Sequence, residues 1–286
     1  MLVDLKNKLT EIDSDSPEYP SAWQELPDKP EKLYALGDIS LLRERKLAIV
    51  GSRRTPANAL KLGTEIAKTL SEGFVVLTGT ADGGDTAAIE GALLGSGRVI
   101  CLLAGGFSAL PQFNRTLLER VLKRGLIISP HPFETEVRAF SYEYRNKLLA
   151  KLCSGVLVIG AGEKSGALIT AKYAAAYEKP VFAFPYPPNS ASGAGCNALI
   201  KKGGYLTESA LDIAEKYGVD LTEKKREYTL TADEERVYEA LKEGEAHASE
   251  LAQKAGVPVF KLRAVLSSLE VKGLVVSLGG NCYAAV

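Results

Sequence analysis

Four loops carry residue types that could bind a ligand. Gly51-Ser52-Arg53-Arg54 closes an apolar run, Leu47 to Val50. A glycine at that place lets a ligand reach the backbone, and amides opening the following helix attract anions. Ser52 adds a hydroxyl donor. Arg53 can fork onto a phosphate or stack on a base. Anion binding explains this grouping better than a tight turn with two solvated arginines.

The other three loops follow further apolar runs. "TGTADGGDTAAIEGAL" offers Gly79, Gly83 and Gly84, with Asp85 placed to cap the next helix. "AGGFSALPQFNRTLLERV" offers Gly105 and Gly106, then Asn114 and Arg115 at a helix start, a pattern suited to phosphate or sugar. "GAGEKSGALITAKYAA" puts Lys164, Ser165 and Gly166 where amides point outward. Just upstream, "EYRNKLLAKL" supplies Arg145, Asn146 and Lys147. If these elements share one sheet edge, Arg53, Arg145, Lys147 and Lys164 converge into a cationic pocket that would follow a phosphate backbone. Arg54 is either a fifth member or a solvated neighbour.

The elements that must position these loops are legible as alternation. The runs LAIVG (47–51), FVVLTG (74–79), RVICLLAGG (98–106), LIIS (126–129), GVLVIG (155–160) and PVFAFP (180–185) are apolar on nearly every residue. Such strands are buried on both faces. Amphipathic segments of helical length separate them, which predicts parallel βαβ units in a doubly wound, mostly parallel, Rossmann-like sheet. Ligands bind such sheets at the carboxyl ends of the strands. Residues 1–45, rich in proline, read as an irregular lead-in with short helical turns, 46–217 as the α/β domain, and 218–230 as a polar linker.

Residues 231–286 form a smaller unit. Thr231 to Glu234 is a capping box opening a first helix. "ASELAQKAG" is a second helix and "VPVFKLRAVLSSLEVKG" a third, with Val259, Leu262, Val265, Leu266 and Leu269 on one side. "LVVSLGGNCYAAV" reads as a hairpin turning at Gly279-Gly280-Asn281. Three helices and a hairpin make a winged helix. The third helix exposes few cations (Lys261, Arg263 and Lys272), so DNA contact, protein contact and a structural role all stay open.

Composition excludes several other classes. Acidic and basic residues balance at 35 each, so net charge argues for no partner, although a local patch can hide in a neutral total. The four cysteines lack paired spacing, which suits a reducing cytoplasm and neither a zinc site nor a disulfide framework. His131 and His247 lack ligand spacing to each other and read as structural or surface residues. No stretch reaches the ~18 apolar residues of a membrane helix, and the N-terminus has no apolar signal core. No loop is a P-loop, and "GAGEKS" is only a fragment of a dinucleotide fingerprint. No paired histidine, nucleophile elbow or metal-spaced acid cluster supports catalysis, and no cofactor or metal is implied.

Five stretches, "LAIVGSRRTP", "TGTADGGDTAAIEGAL", "LLAGGFSALPQFNRTLL", "RNKLLAKLCSGVLVIGAGEKSGALITAKYA" and "VFAFPYPPNSASGAGCNALIKKGG", resemble in order and spacing the DNA-processing protein A (DprA, or Smf) family. The resemblance covers residues 17–215, with a looser match in the winged helix. It implies a cytoplasmic bacterial protein, not an enzyme, that binds single-stranded DNA without sequence preference. It further implies protection of incoming strands in natural transformation, help in loading RecA recombinase, and a homodimer through the Rossmann-like domain. The family's GSR arginine falls on Arg53, its R-N-[RK] element on Arg145, Asn146 and Lys147, and its S-G loop on Ser165 and Gly166.

Departures from the family pattern are also legible. Where the family usually reads ARGID, this chain has Ala81-Asp82-Gly83-Gly84-Asp85. Ile89-Glu90 replaces a usual His-Arg, and Gly160 a common glutamate. The resemblance also implies that the N-terminal helical domain of many members is missing or reduced to a stub here. These changes thin the positive pocket and shift more of the binding onto Arg53, Arg145 and Lys147. Two other readings compete. One is a nucleotide N-glycosidic hydrolase of the LOG type, whose "PGGxGTxxE" glutamate is missing from "GAGEKSGALITA". The other is a nucleotide sensor with the winged helix as output.

Overall fold

The computed structural model describes residues 6–110, 115–221, 230–272 and 274–285. The chain divides into two units, Met1–Thr222 and Glu223–Val286. In the first unit the lead-in supplies β1 (Thr10–Asp13), α1 (Ser21–Gln24) and β2 (Lys32–Gly37). The alternation continues with β3 (Lys46–Gly51), α2 (Ala57–Leu70), β4 (Val75–Thr78), α3 (Gly84–Leu94) and β5 (Val99–Leu102). Then come α4 (Arg115–Val121), β6 (Leu126–Ser129), α5 (Ala139–Leu152), β7 (Val156–Gly160) and α6 (Ala167–Ala176). It closes with β8 (Val181–Ala183), α7 (Ala194–Lys201), β9 (Tyr205–Leu206) and α8 (Ala210–Tyr217).

These strands form one sheet in the order β1-β2-β6-β5-β4-β3-β7-β8-β9. All six apolar runs become strands, and β3 to β9 pair in parallel. Residues alternate between two cores. Leu47 and Ile49 of β3 join Ile66, Leu70 and Ile89 on one face. Ala48 and Val50 join Leu148, Leu149 and Ala171 on the other. Helices therefore cover both faces, as doubly wound sheets require. The strand order reverses at β3, with β4 on one side and β7 on the other, so a switch-point crevice lies at their carboxyl ends.

The lead-in differs from the irregular segment expected. β1 and β2 extend the sheet antiparallel beside β6. Their buried apolar residues are few: Ile12 in β1, and Leu33, Ala35 and Leu36 in β2. Antiparallel strands at and next to a sheet edge need little apolar sequence, and four nearby prolines obscure the alternation that is there. The intervening segment packs on α5. Trp23 is fully buried, and its indole N–H donates to the Leu148 carbonyl at 2.9 Å.

The second unit is a winged helix: α9 (Ala232–Lys242), β10 (Ala246–His247), α10 (Ala248–Lys254), α11 (Val259–Val271), β11 (Val275–Gly279) and β12 (Cys282–Ala285). The capping box forms, with Thr231 N–H donating to Glu234 and Glu234 N–H to Thr231 Oγ1. The hairpin turns where expected, with Gly279, Gly280 and Asn281 all at positive φ. The third strand, β10, pairs with β12 and was not legible in the sequence. Leu262, Leu266 and Leu269 fill the core. Val259, expected on that side, is 69% exposed. It stands one residue after the Pro258 cap, in the first turn, before α11 meets the body of the unit.

Candidate functional site

A cavity of about 740 Å³ opens at the switch point, within the size range of ligand pockets (~300–1,000 Å³). The end of β3 contributes Gly51, Ser52, Arg53 and Arg54. The turn into α3 contributes Ala81 and Asp85, and α5 contributes Tyr142, Arg145 and Asn146. Lys164, Ser165 and Gly166 stand at the N-terminal end of α6. Ala191 and Ser192 close the rim.

The β3 turn is held rigidly. Ser52 N–H donates to the Gly160 carbonyl at 2.7 Å, which ties β3 to β7. The Ser52 carbonyl accepts from Thr55 N–H and Thr55 Oγ1, and the Ser52 hydroxyl accepts from Arg54 N–H at 3.0 Å. Gly83 (φ +81°) is essential for the close approach, because a Cβ there would meet the backbone of Ser52 and Arg53. The helix after β3 opens only at Ala57, beyond a Pro56 cap. The helix that opens on the cavity without delay is instead α6, whose first residue, Ala167, lines it. Its N-terminal amides and dipole favour an anion there.

Arg145 is the buried cation of the site. Its side chain is 8% exposed and pairs with Asp85, 6% exposed, at 3.5 Å. Burial pushes the Asp85 carboxyl above the usual carboxylate range, against the pull of Arg145 and the amides of Ala81 and Gly51. Arg145 Nε is buried and has no hydrogen-bond partner. One long contact does not satisfy a buried guanidinium, so Arg145 keeps donor capacity for an incoming anion. Gly79 makes room for the pair, since a Cβ there would overlap both Arg145 Nη1 and Asp85 Oδ2. Asn146 Nδ2 donates to the Gly166 carbonyl at 3.3 Å and so fastens α5 to the loop before α6.

The structure thus brings together Gly51, Ser52, Arg53, Arg54, Arg145, Asn146, Lys164, Ser165 and Gly166. Arg53, Arg54 and Lys164 are exposed. Lys147 is not part of the convergence: α5 points it away, onto Asp28, where the ion pair is 2.5 Å. The helical period explains this, since Tyr142, Arg145 and Asn146 share one face and Lys147 lies about 100° further round. Gly105 also lies outside the cavity. Its carbonyl accepts from the Ser129 hydroxyl at 2.8 Å, and it packs under Thr135 and Val137. Arg115 begins α4 and does not line the cavity. Asn114 lies outside the described residues. Asp85, read from the sequence as a helix cap, is the buried partner of Arg145.

Tyr142, 42% exposed at the rim, carried no separate signal in the sequence. Its spacing of three and four from Arg145 and Asn146 was the available clue. Asp82 and Glu90 are exposed, whereas Ile89 is buried in the core. At Gly160 a side chain would collide with Thr55, which fills that space. His131 is half-buried, with burial lowering its pKa, and His247 caps α10. Among the described residues no group of three His, Cys, Asp or Glu could hold a metal, and no helix is long and apolar enough to cross a membrane.

The model of the DNA recombination-mediator protein A family matches residues 10–218. The chain belongs to that family. The DprA winged helix domain matches residues 222–281. The chain is 34% identical over 217 residues to the DNA processing protein DprA of Bacillus subtilis, covering 75% of this chain and 72% of that one. It is 35% identical over 205 residues to the Smf protein of Synechocystis, covering 69% of this chain but only 52% of that longer one. The DprA structure of Streptococcus pneumoniae superposes with a TM-score of 0.70 at 30% identity, covering 75% of this chain and 76% of that one. The Helicobacter pylori protein, solved for its single-stranded DNA binding mode, superposes at 0.66 with 28% identity, covering 74% and 98%.

Proposed function

We propose that the cavity between β3 and β7 binds the backbone of single-stranded DNA without sequence preference, and that the chain acts as a recombination mediator. The observation that carries this reading is the convergence of Arg53, Lys164 and the N-terminal end of α6 on a pocket floored by Arg145 with an unpartnered Nε. Every one of these groups recognises an anion, which a phosphate backbone presents whatever its sequence. Tyr142 at the rim offers an aromatic face, on which any base can stack. The H. pylori relative's binding of single-stranded DNA supports the same ligand class.

Family membership supports the wider role: protection of incoming strands in natural transformation and help in loading RecA recombinase onto them. It likewise supports a non-enzymatic, cytoplasmic protein. Buried free thiols at Cys101, Cys153 and Cys196 suit that compartment. A homodimer through the Rossmann-like unit fits β9, the edge strand, where Tyr205 and Leu206 are 43% and 48% exposed.

Competition binding tests the reading. Unlabelled oligo-dT, oligo-dC and mixed single strands should displace a labelled single strand equally well, and duplex of the same length far less. Displacement by duplex at the same concentration, or by one single-stranded sequence alone, would overturn it.

A further inference from the structure

Helix α11 presents a second, outward face that is also partly apolar. Phe260 is 82% exposed and Val271 87%, and Ala264 and Ser267 between them are exposed too. The four positions follow at spacings of four, three and four. At about 100° per residue they fall within roughly 60° of arc. That is the spacing of a coiled-coil seam, with one large residue at each end of a small-residue centre. One flank of the seam carries Arg263 and Glu270, and the other Lys261 and Ser268. Among the described residues neither Arg263 nor Glu270 has an ion-pair partner, whereas Lys272 is taken by Glu234 at 2.7 Å.

We propose that this face of α11 pairs antiparallel with the same face of a second copy of the chain. Run in reverse, Phe260 packs on Val271 of the second copy, and Ala264 on its Ser267. Large groups meet at the ends, and small ones let the backbones close in the middle. A two-fold axis places like flank against like flank, so Arg263 faces Glu270 of the second copy, and the pair occurs twice. Parallel pairing would set Arg263 against Ser268 and match no opposite charges. Antiparallel packing also brings opposite ends of the two helix dipoles together.

The same features disfavour nucleic acid on this face. With Lys272 occupied, Lys261 and Arg263 are the cations this face offers among the described residues, and large apolar groups, Phe260 and Val271, stand at its two ends. The helix is 13 residues long, about 20 Å, and buries less than the ~800 Å² per partner of a standard interface. The contact is therefore weak alone and gains strength where copies are already held close, as along one strand of DNA.

Disulfide trapping in the full chain tests this, in a Cys282→Ala background because the other three cysteines are buried. An Ala264→Cys chain mixed with a Ser267→Cys chain should form a mixed disulfide under mild oxidation, at least fivefold above either chain alone. Arg263→Glu should cut the yield at least threefold, and Arg263→Glu with Glu270→Arg should restore it. Self-linking of Ala264→Cys as strong as the mixture would mean parallel pairing and overturn the proposal. So would a yield no higher than that of an exposed Ser277→Cys control. A Phe260→Glu chain that loses oligo-dT binding, with no trapping in the cysteine pair, would assign the face to nucleic acid instead.

Discussion

Gly79→Ala is a substitution of one methyl group that should dismantle the binding pocket. The added Cβ falls inside both Arg145 Nη1 and Asp85 Oδ2, so the two side chains cannot keep their places. Both are almost completely buried, and a buried ion pair broken on one side costs about 3–5 kcal/mol because the remaining charge has no partner. For a unit of this size each kcal/mol moves the melting temperature by about 2–4 °C, so thermal unfolding should fall by roughly 6–20 °C. Oligo-dT affinity should drop at least tenfold, because Arg145 no longer faces the cavity. Adding Arg145→Met and Asp85→Ala together removes both overlapping groups and leaves no buried charge unpaired. It should recover part of the melting temperature while leaving DNA binding weak. A Gly79→Ala chain that melts within ~1 °C of wild type and binds oligo-dT normally would refute the reasoning.

Three further outcomes follow from the geometry. Tyr142→Ala should weaken oligo-dT binding by about 1–3 kcal/mol, the worth of one stacked base, and Tyr142→Phe should leave it intact in the same titration. Lys147→Ala should change oligo-dT affinity less than twofold, since that lysine is spent on Asp28. Glu234 is held at about 2, below its ordinary 4.5, chiefly by hydrogen bonds from Lys272 and Ser268. Its folded pKa is the lower one, so its stabilisation, about 3 kcal/mol, is complete above pH 4.5 and is lost as pH falls through about 2. Hydrogen-exchange protection factors of α9 and α11 in the full chain, taken relative to the intrinsic rate at each pH, should fall across that window, and Glu234→Gln should remove that fall.

The six buried strands were legible because each is apolar on both faces and alternates with a segment of helical length, the pattern of a parallel sheet under two helical layers. The N-terminal strands were not, because β1, the edge, buries only Ile12, and β2 beside it only Leu33, Ala35 and Leu36. The site was half legible. Gly51 to Arg54 and Lys164 to Gly166 stand at strand ends, and their place follows from topology alone. Lys147 went astray because a run of three polar residues on a helix cannot share a face. The pairing of Asp85 with Arg145 joins residues 60 apart in sequence. Nothing local announces it, although Gly79, the residue that admits it, was visible as a glycine at a strand end.

The salt dependence of oligo-dT binding tests the central claim most directly. Fluorescence anisotropy at several salt concentrations gives the slope of log affinity against log salt, which counts displaced counterions, about 0.7 per phosphate on a single strand. Wild type should bind with a steep negative slope. Arg53→Ala should bind more weakly to every sequence, with the slope shallower by about one phosphate contact and the melting temperature unchanged, because Arg53 is exposed. An Arg53→Ala chain with wild-type affinity and slope would contradict the assignment of this cavity to the DNA backbone.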